Sequence, residues 1–240
     1  MKLKYKIVVT GGGGRFGTIL RKNYISTKIF YPKKKQLDIL REESIEKYLK
    51  KKKPKILIHL AGLSRPMKIH ERDIIRSINL NIIGTANIVK ICSKLKIKLI
   101  YFSTNYVYPC TKGNYSENHA LLPINNYAWS KLGGETAVHM YKNSLILRVC
   151  MTEKPFLHKK AFTNSKSNFI YQDEVAKILF RLINKKGIIN VGGEIDTIYN
   201  FAKRDNPKVK KIYLKNNCKI RFPKNSSMDI SKLKKLININ

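Results

Sequence analysis

Short apolar runs alternate with longer stretches of helical spacing along this chain. Compact runs over residues 4–10, 29–31, 56–60, 98–103, 145–149 and 188–191 read as strands, the third of them a fully buried type. Helical patterns lie between them at residues 18–24, 44–52 and 173–184 and around Tyr127. Ile75, Ile78, Ile82, Ala86 and Val89 keep the three-and-four spacing of one long helix, with Asn81 on its flank. Strand, helix, strand in this order predicts an α/β protein, a doubly wound parallel sheet with helices on both faces and right-handed crossovers. The alternation loosens over residues 151–168, and no internal repeat is present.

The first strand runs straight into Gly11-Gly12-Gly13-Gly14-Arg15-Phe16-Gly17 and then into a helix. Gly11, Gly14 and Gly17 recur every third residue, where missing side chains permit a tight turn, close approach of a pyrophosphate to backbone N–H groups, and close helix packing. Strand, glycine loop and helix is the layout of a Rossmann-type dinucleotide site. After the second strand such folds often carry an acid for the ribose hydroxyls of NAD. Lys33, Lys34 and Lys35 stand there instead, a run that suits the extra phosphate of NADPH as well as it suits a solvated surface. His59-Leu60-Ala61-Gly62 closes the third strand with small residues, past which a cofactor could run close to the backbone, as could an ordinary strand-to-loop turn.

Tyr127 and Lys131 are four residues apart in a helix-forming run and so share one face. A tyrosine exchanges protons near neutrality once its pKa of about 10 falls by about 3 units, a shift of about 4 kcal/mol. One ammonium at about 4 Å and an effective dielectric of about 20 supplies that amount. The pair is chemically sufficient, although an exposed amphipathic helix could carry the same two residues.

Composition changes this picture in three places. A chain of 240 residues with 43% apolar content can bury a sizeable core, and no apolar stretch is long enough to span a bilayer. The short run Ile7-Val8-Val9 is too brief for a signal peptide, which makes the cytoplasm the expected compartment and leaves no membrane partner. Cys92, Cys110, Cys150 and Cys218 are scattered and read as free thiols, and the histidines form no metal-ligand spacing, so no metal is expected. The net charge of +34 raises nucleic acid as a partner, but the excess is lysine spread over nearly every segment. Attraction of an anionic nucleotide substrate is the better account.

Taken together, Thr10-Gly11-x-x-Gly14-x-x-Gly17, His59-Leu60-Ala61-Gly62, Asn81-x-x-Gly84-Thr85, Ser103-Thr104-Asn105-Tyr106-Val107-Tyr108, Tyr127-x-x-x-Lys131 and residues 169–176 resemble the extended short-chain dehydrogenase/reductases. Leu37-Asp38-Ile39 and the Ser-Thr-x-Tyr-Val stretch are most similar to the dTDP-4-dehydrorhamnose reductase branch. The resemblance implies one NAD(P)-binding domain over residues 1–240, with residues 151–168 and 192–240 forming a small substrate lobe. It implies NADPH or NADH as cofactor, a nucleotide-linked 4-keto-6-deoxy sugar as substrate, and leaves a homodimer open.

Carried over, Tyr127 would protonate the carbonyl oxygen, Lys131 would lower its pKa and hold the nicotinamide ribose, and Thr104 would bond the substrate oxygen. Asn105 and Tyr106 would border the substrate. Gly11, Gly14, Arg15, Phe16 and Gly17 would surround the phosphates, Asp38 and Ile39 the adenine, and Leu60, Ala61 and Gly62 the cofactor's centre, with Lys33 near the adenosine phosphate. Asn81 would be a buried structural or relay residue and Asp173 a helix N-cap. Two departures stand out. Asn105 replaces an acid usual in the branch, which disfavours dehydration, and residues 151–168 are shorter than the family's nucleotide clasp. An NAD-retaining epimerase and a non-catalytic, cofactor-binding regulatory subunit are the rival readings.

Overall fold

The structure, a computed structural model, describes residues 4–214 and 221–238; Cys218 lies outside them. Its elements in chain order are β1 (Ile7–Thr10), α1 (Arg15–Asn23), β2 (Ile29–Phe30), α2 (Glu42–Lys52), β3 (Ile56–His59), α3 (Lys68–Arg72) and α4 (Ile74–Ile78). A π turn over Asn79–Ile83 then leads without a break into α5 (Gly84–Lys94). Next come β4 (Lys98–Thr104), a 3-10 turn (Asn105–Val107), α6 (Asn126–His139), β5 (Ser144–Val149), β6 (Met151–Thr152), β7 (Lys160–Phe162), β8 (Lys166–Ser167) and β9 (Ile170–Tyr171). The last are α7 (Gln172–Leu182), β10 (Gly187–Val191), β11 (Asp196–Thr197), α8 (Ile198–Lys203), β12 (Lys210–Ile212) and α9 (Ser231–Ile237).

Six strands make one sheet in the order β10-β5-β4-β3-β1-β2, and β1 pairs parallel to both β2 and β3, as β3 does to β4. Every residue of β1, β3, β4 and β5 is buried, which only a sheet covered on both faces requires. The expected doubly wound α/β fold is what forms.

Two compact units divide the chain. The first holds the residues up to Ser103 with Ser130–Ile146 and Asn184–Gly187. Its core is the strand interior, including Val8, Leu57, Ile58, Leu99 and Ile100 with no measurable exposure, faced by Leu20 of α1, Ile45 and Leu49 of α2 and Ile88 of α5. The second unit holds Thr104–Trp129, Leu147–Ile183 and the residues from Ile188 onward. Besides the end of β5 and most of β10, it carries three two-stranded ribbons, β11 with β8, β12 with β7 and β6 with β9. A small core of Phe156, Ala161, Phe201, Ala202 and Val209 supports them.

Several element boundaries differ from those expected. The helix placed at residues 18–24 already begins at Arg15, because Gly14 caps it in extended backbone and the glycine run ends inside its first turn. The long helix with Asn81 is α4 and α5 joined through the π turn. Residues 151–168 are not irregular but carry β6, β7 and β8, each too short to show a period. Asp173 is not the N-cap of α7: Tyr171 is, and Glu174 accepts its N–H at 3.3 Å, leaving Asp173 in the first turn.

Candidate functional site

In the first unit the glycine turn is forced by its surroundings. Gly11 has φ +70°, and a side-chain carbon there would lie 2.6 Å from the backbone nitrogen of Ala61, so the turn and the end of β3 touch backbone to backbone. A carbon at Gly13 would meet nothing within 4 Å, and Gly14 offers α1 no side-chain cap. The space beside Gly13 lies at the positive end of α1 and fits a pyrophosphate, while Gly17 is packed on the turn itself, where a carbon would stand 2.5 Å from the Gly11 carbonyl oxygen. Phe16 contributes backbone only, since its ring is buried 5.1 Å from that of Phe102.

At the end of β2 the structure shows a residue that motif reading passed over. Tyr31 packs on Gly12, and its buried hydroxyl has no hydrogen-bond partner among the described residues. Burial pushes its pKa up to about 12, with Arg21, 5.9 Å from the ring, opposing. Lys33 is exposed, and its backbone is held by Gln36. Asp38 folds its carboxylate back onto the N–H of Leu40 at 3.0 Å, while Ile39 is buried against Gly84.

Beneath the end of β3 runs a one-way chain of hydrogen bonds. Ala61 N–H donates to Thr10 Oγ1 at 3.2 Å, whose hydroxyl in turn meets His59 Nδ1 at 2.8 Å. His59 Nε2 lies 3.2 Å from Thr85 Oγ1, and Thr85 donates to the Asn81 carbonyl at 2.8 Å. Because that carbonyl can only accept, Thr85 must accept from His59, which fixes the imidazole as the neutral Nε2–H tautomer. Burial holds His59 down to about 3, and the Lys131 ammonium adds to the effect. Asn81 is spent structurally: its carboxamide clasps both the N–H and the C=O of Leu63, at 2.7 and 2.9 Å, and donates to Ser130 Oγ at 2.8 Å.

Lys131 projects from α6 with its ammonium 4.2 Å from the centre of the Tyr101 ring. Desolvation lowers its pKa to about 7, against the pull of the Glu135 carboxylate one turn on. Glu135 is itself buried and accepts a short hydrogen bond from Ser103. In the sequence Ser103 stands out only as the start of the stretch over residues 103–108, and Glu135 does not stand out at all, although Glu135 follows Lys131 at the same four-residue spacing that links Lys131 to Tyr127.

In the second unit, β4 ends at Thr104, which is 5% exposed and accepts the N–H of Tyr106 at 3.3 Å. Tyr106 and Tyr127 are half-buried, their rings edge to face at 6.3 Å. Asn105 turns its carboxamide inward to Ser226 and Ser167. Tyr127 and Lys131 do belong to one unbroken helix, α6. Among the described residues no cluster of three or more His, Cys, Asp or Glu could hold a metal ion, and no helix is long and apolar enough to cross a membrane.

The glycine turn, the parallel sheet and the α6 helix define a protein of the extended short-chain dehydrogenase/reductase class. Within it the chain belongs to the RmlD substrate binding domain family, whose model matches residues 5–164. The structure is similar to dTDP-4-dehydrorhamnose reductase from Bacillus anthracis in complex with NADP, with a TM-score of 0.87, 22% identity and coverage of 97% of this chain and 92% of that one. It is also similar to the Bordetella bronchiseptica enzyme WbmG in complex with NAD and UDP, with a TM-score of 0.77, 17% identity and coverage of 98% and 89%. In sequence, methionine adenosyltransferase 2 subunit beta of Xenopus laevis is 31% identical over 119 residues, 49% of this chain. The match spans only 35% of that subunit's length.

Proposed function

We propose that this protein is an NAD(P)H-dependent reductase of a nucleotide-linked 4-keto-6-deoxy sugar, acting in the cytoplasm in nucleotide-sugar synthesis. The observation that carries this reading is α6, which presents Tyr127 and a desolvated Lys131 on one face of an unbroken helix. When bound, the dihydronicotinamide supplies the hydride. Tyr127 protonates the oxygen of the carbonyl being reduced, and Lys131 stabilises the phenolate left behind and holds the nicotinamide ribose. A lysine near neutrality suits that place, because it gains its charge as the anionic cofactor arrives. Gly13 leaves room for the phosphates at α1, and Lys33 favours NADPH over NADH. Residues 151–168 and 192–240 supply the sugar-nucleotide lobe in this reading.

The test offers purified protein NADPH or NADH with a panel of dTDP- and UDP-linked 4-keto sugars and follows nicotinamide absorbance. Turnover by the wild type with a loss of about 100-fold or more in Tyr127→Phe is expected; equal turnover in the variant overturns the catalytic assignment. A second reading is a cofactor-binding regulatory subunit, supported by the likeness to methionine adenosyltransferase 2 subunit beta. Tight NADPH binding without turnover of any sugar in the panel supports it. An epimerase would instead purify with bound NAD and consume no NADPH.

A further inference from the structure

Behind Thr104 lies a buried polar network that neither the relay chemistry nor the motif pattern calls for. Asn105 is 2% exposed, and its Nδ2 donates to the Ser226 carbonyl at 3.0 Å, 121 residues away in sequence. The same nitrogen lies 3.5 Å from Ser167 Oγ, which in turn is 2.9 Å from Ser226 Oγ and 3.0 Å from Cys150 Sγ. A backbone carbonyl only accepts, so the carboxamide nitrogen must face Ser226 and the carboxamide oxygen must face the other way. On that other side stands Thr104 Oγ1 at 3.3 Å, and Asn105 Oδ1 can only accept from it.

Thr104 therefore spends its one hydroxyl proton on Asn105 and one lone pair on the Tyr106 N–H. A single lone pair is left to face an incoming ligand. We propose that Asn105 is a positioning residue: anchored on the C-terminal segment at Ser226, it fixes the Thr104 hydroxyl in one orientation, as a hydrogen-bond acceptor toward an incoming substrate hydroxyl. This rests on the reductase reading given above for its catalytic consequence, and on the network alone for its geometry. An aspartate at 105 would keep the acceptor toward Thr104 but lose the donor toward Ser226. Alanine loses both. The two substitutions thus separate the positioning of Thr104 from the anchoring of the tail.

The experiment combines a double-mutant cycle with a readout that needs no turnover. In steady-state kinetics Asn105→Ala is expected to lower kcat about 10- to 100-fold, with KM for NADPH unchanged and with no further loss when added to Thr104→Val. Asn105→Asp is expected to recover most of kcat while melting at a lower temperature than the wild type, which also serves if Asn105→Ala fails to fold. In parallel, the Asn105 side-chain amide resonances of the wild-type protein are expected to be protected from solvent exchange and to shift in Thr104→Val. Losses of kcat that multiply in the double variant, or amide resonances that exchange freely and ignore Thr104→Val, overturn the proposal. Should the wild type reduce no sugar, the amide resonances still decide the geometry, and the reductase reading fails separately.

Discussion

The two units solve the same problem, holding buried polar groups, by different means. In the first, the chain from Ala61 through Thr10, His59 and Thr85 to Asn81 joins the ends of adjacent parallel strands and the helix that follows them. Its members sit at strand ends and within one helical turn of each other, and the parallel register, in which Thr10 faces His59, sets them side by side. The second unit stitches segments far apart in sequence. Arg148 donates to Tyr108 at 2.7 Å and to the Glu117 carbonyl at 3.1 Å, Tyr108 donates to Asn190 at 2.9 Å, and Asn190 reaches the carbonyls of Tyr115 and Asp229 at 2.9 and 3.2 Å. Polar order in the first unit follows from the sheet. In the second, Arg148 of β5 and Asn190 of β10 carry it from the strands to segments far apart in sequence.

The sharpest way to separate binding chemistry from stability is Lys131→Met. Turnover should fall by about 100-fold or more, whereas the protein without cofactor should become more stable at pH 7. The sign follows from linkage: the folded pKa of Lys131, about 7, lies below its ordinary 10.5, so its contribution to stability is full only above 10.5 and is lost as the pH falls toward 7. A rise in melting temperature of about 2–4 °C would correspond to about 1 kcal/mol in a protein of this size. A fall in melting temperature together with lost turnover would mean that Lys131 supports the fold.

Arg148→Met probes the stitched unit. Removing this buried cation strips Tyr108 and the Glu117 carbonyl of their donor, and urea unfolding should show a loss of about 2–3 kcal/mol. A loss below about 0.5 kcal/mol would show that the ribbons and their small core hold the unit by themselves.

The smallest effect concerns His59. Burial and Lys131 hold its folded pKa at about 3 against an ordinary 6.5, so between those values the unfolded chain binds the extra proton. Stability due to this group is complete above 6.5 and declines by up to about 1.4 kcal/mol per pH unit on acidification. His59→Gln keeps one donor and one acceptor and should flatten the dependence measured between pH 6.5 and 5. An unchanged slope would assign the acid sensitivity to other groups.

What the chain reveals before folding divides along the same line. Strand order, the glycine turn and the Tyr127–Lys131 spacing are local patterns, and they placed α1, β3, β4 and α6 to within a few residues. The glycine turn was legible because Gly11 answers a backbone approach from one neighbouring strand. Tyr31 was not, since nothing in an Ile-Phe-Tyr run tells that its ring packs on Gly12 or that its hydroxyl ends buried. The role of Asn105 was out of reach for a stronger reason: its partner is a backbone carbonyl, and a carbonyl at Ser226 leaves no mark in the residue type. Two-residue strands such as β6 and β8 carry no period to detect.

The π turn at Asn79–Ile83 amounts to a single inserted residue in an otherwise regular helix. Its opened Asn81 carbonyl accepts the hydroxyl of Thr85, and α6 can lie over it only because Gly134 has no side chain, where a carbon would stand 2.4 Å from that oxygen. Deleting one residue between Asn79 and Ile83 would restore an ordinary helix and turn the preceding segment by about 100° relative to α5. Asn81 would then swing off Leu63 and Ser130. Insertion, hydroxyl and glycine thus act as one unit in this chain, each fitted to the same carbonyl.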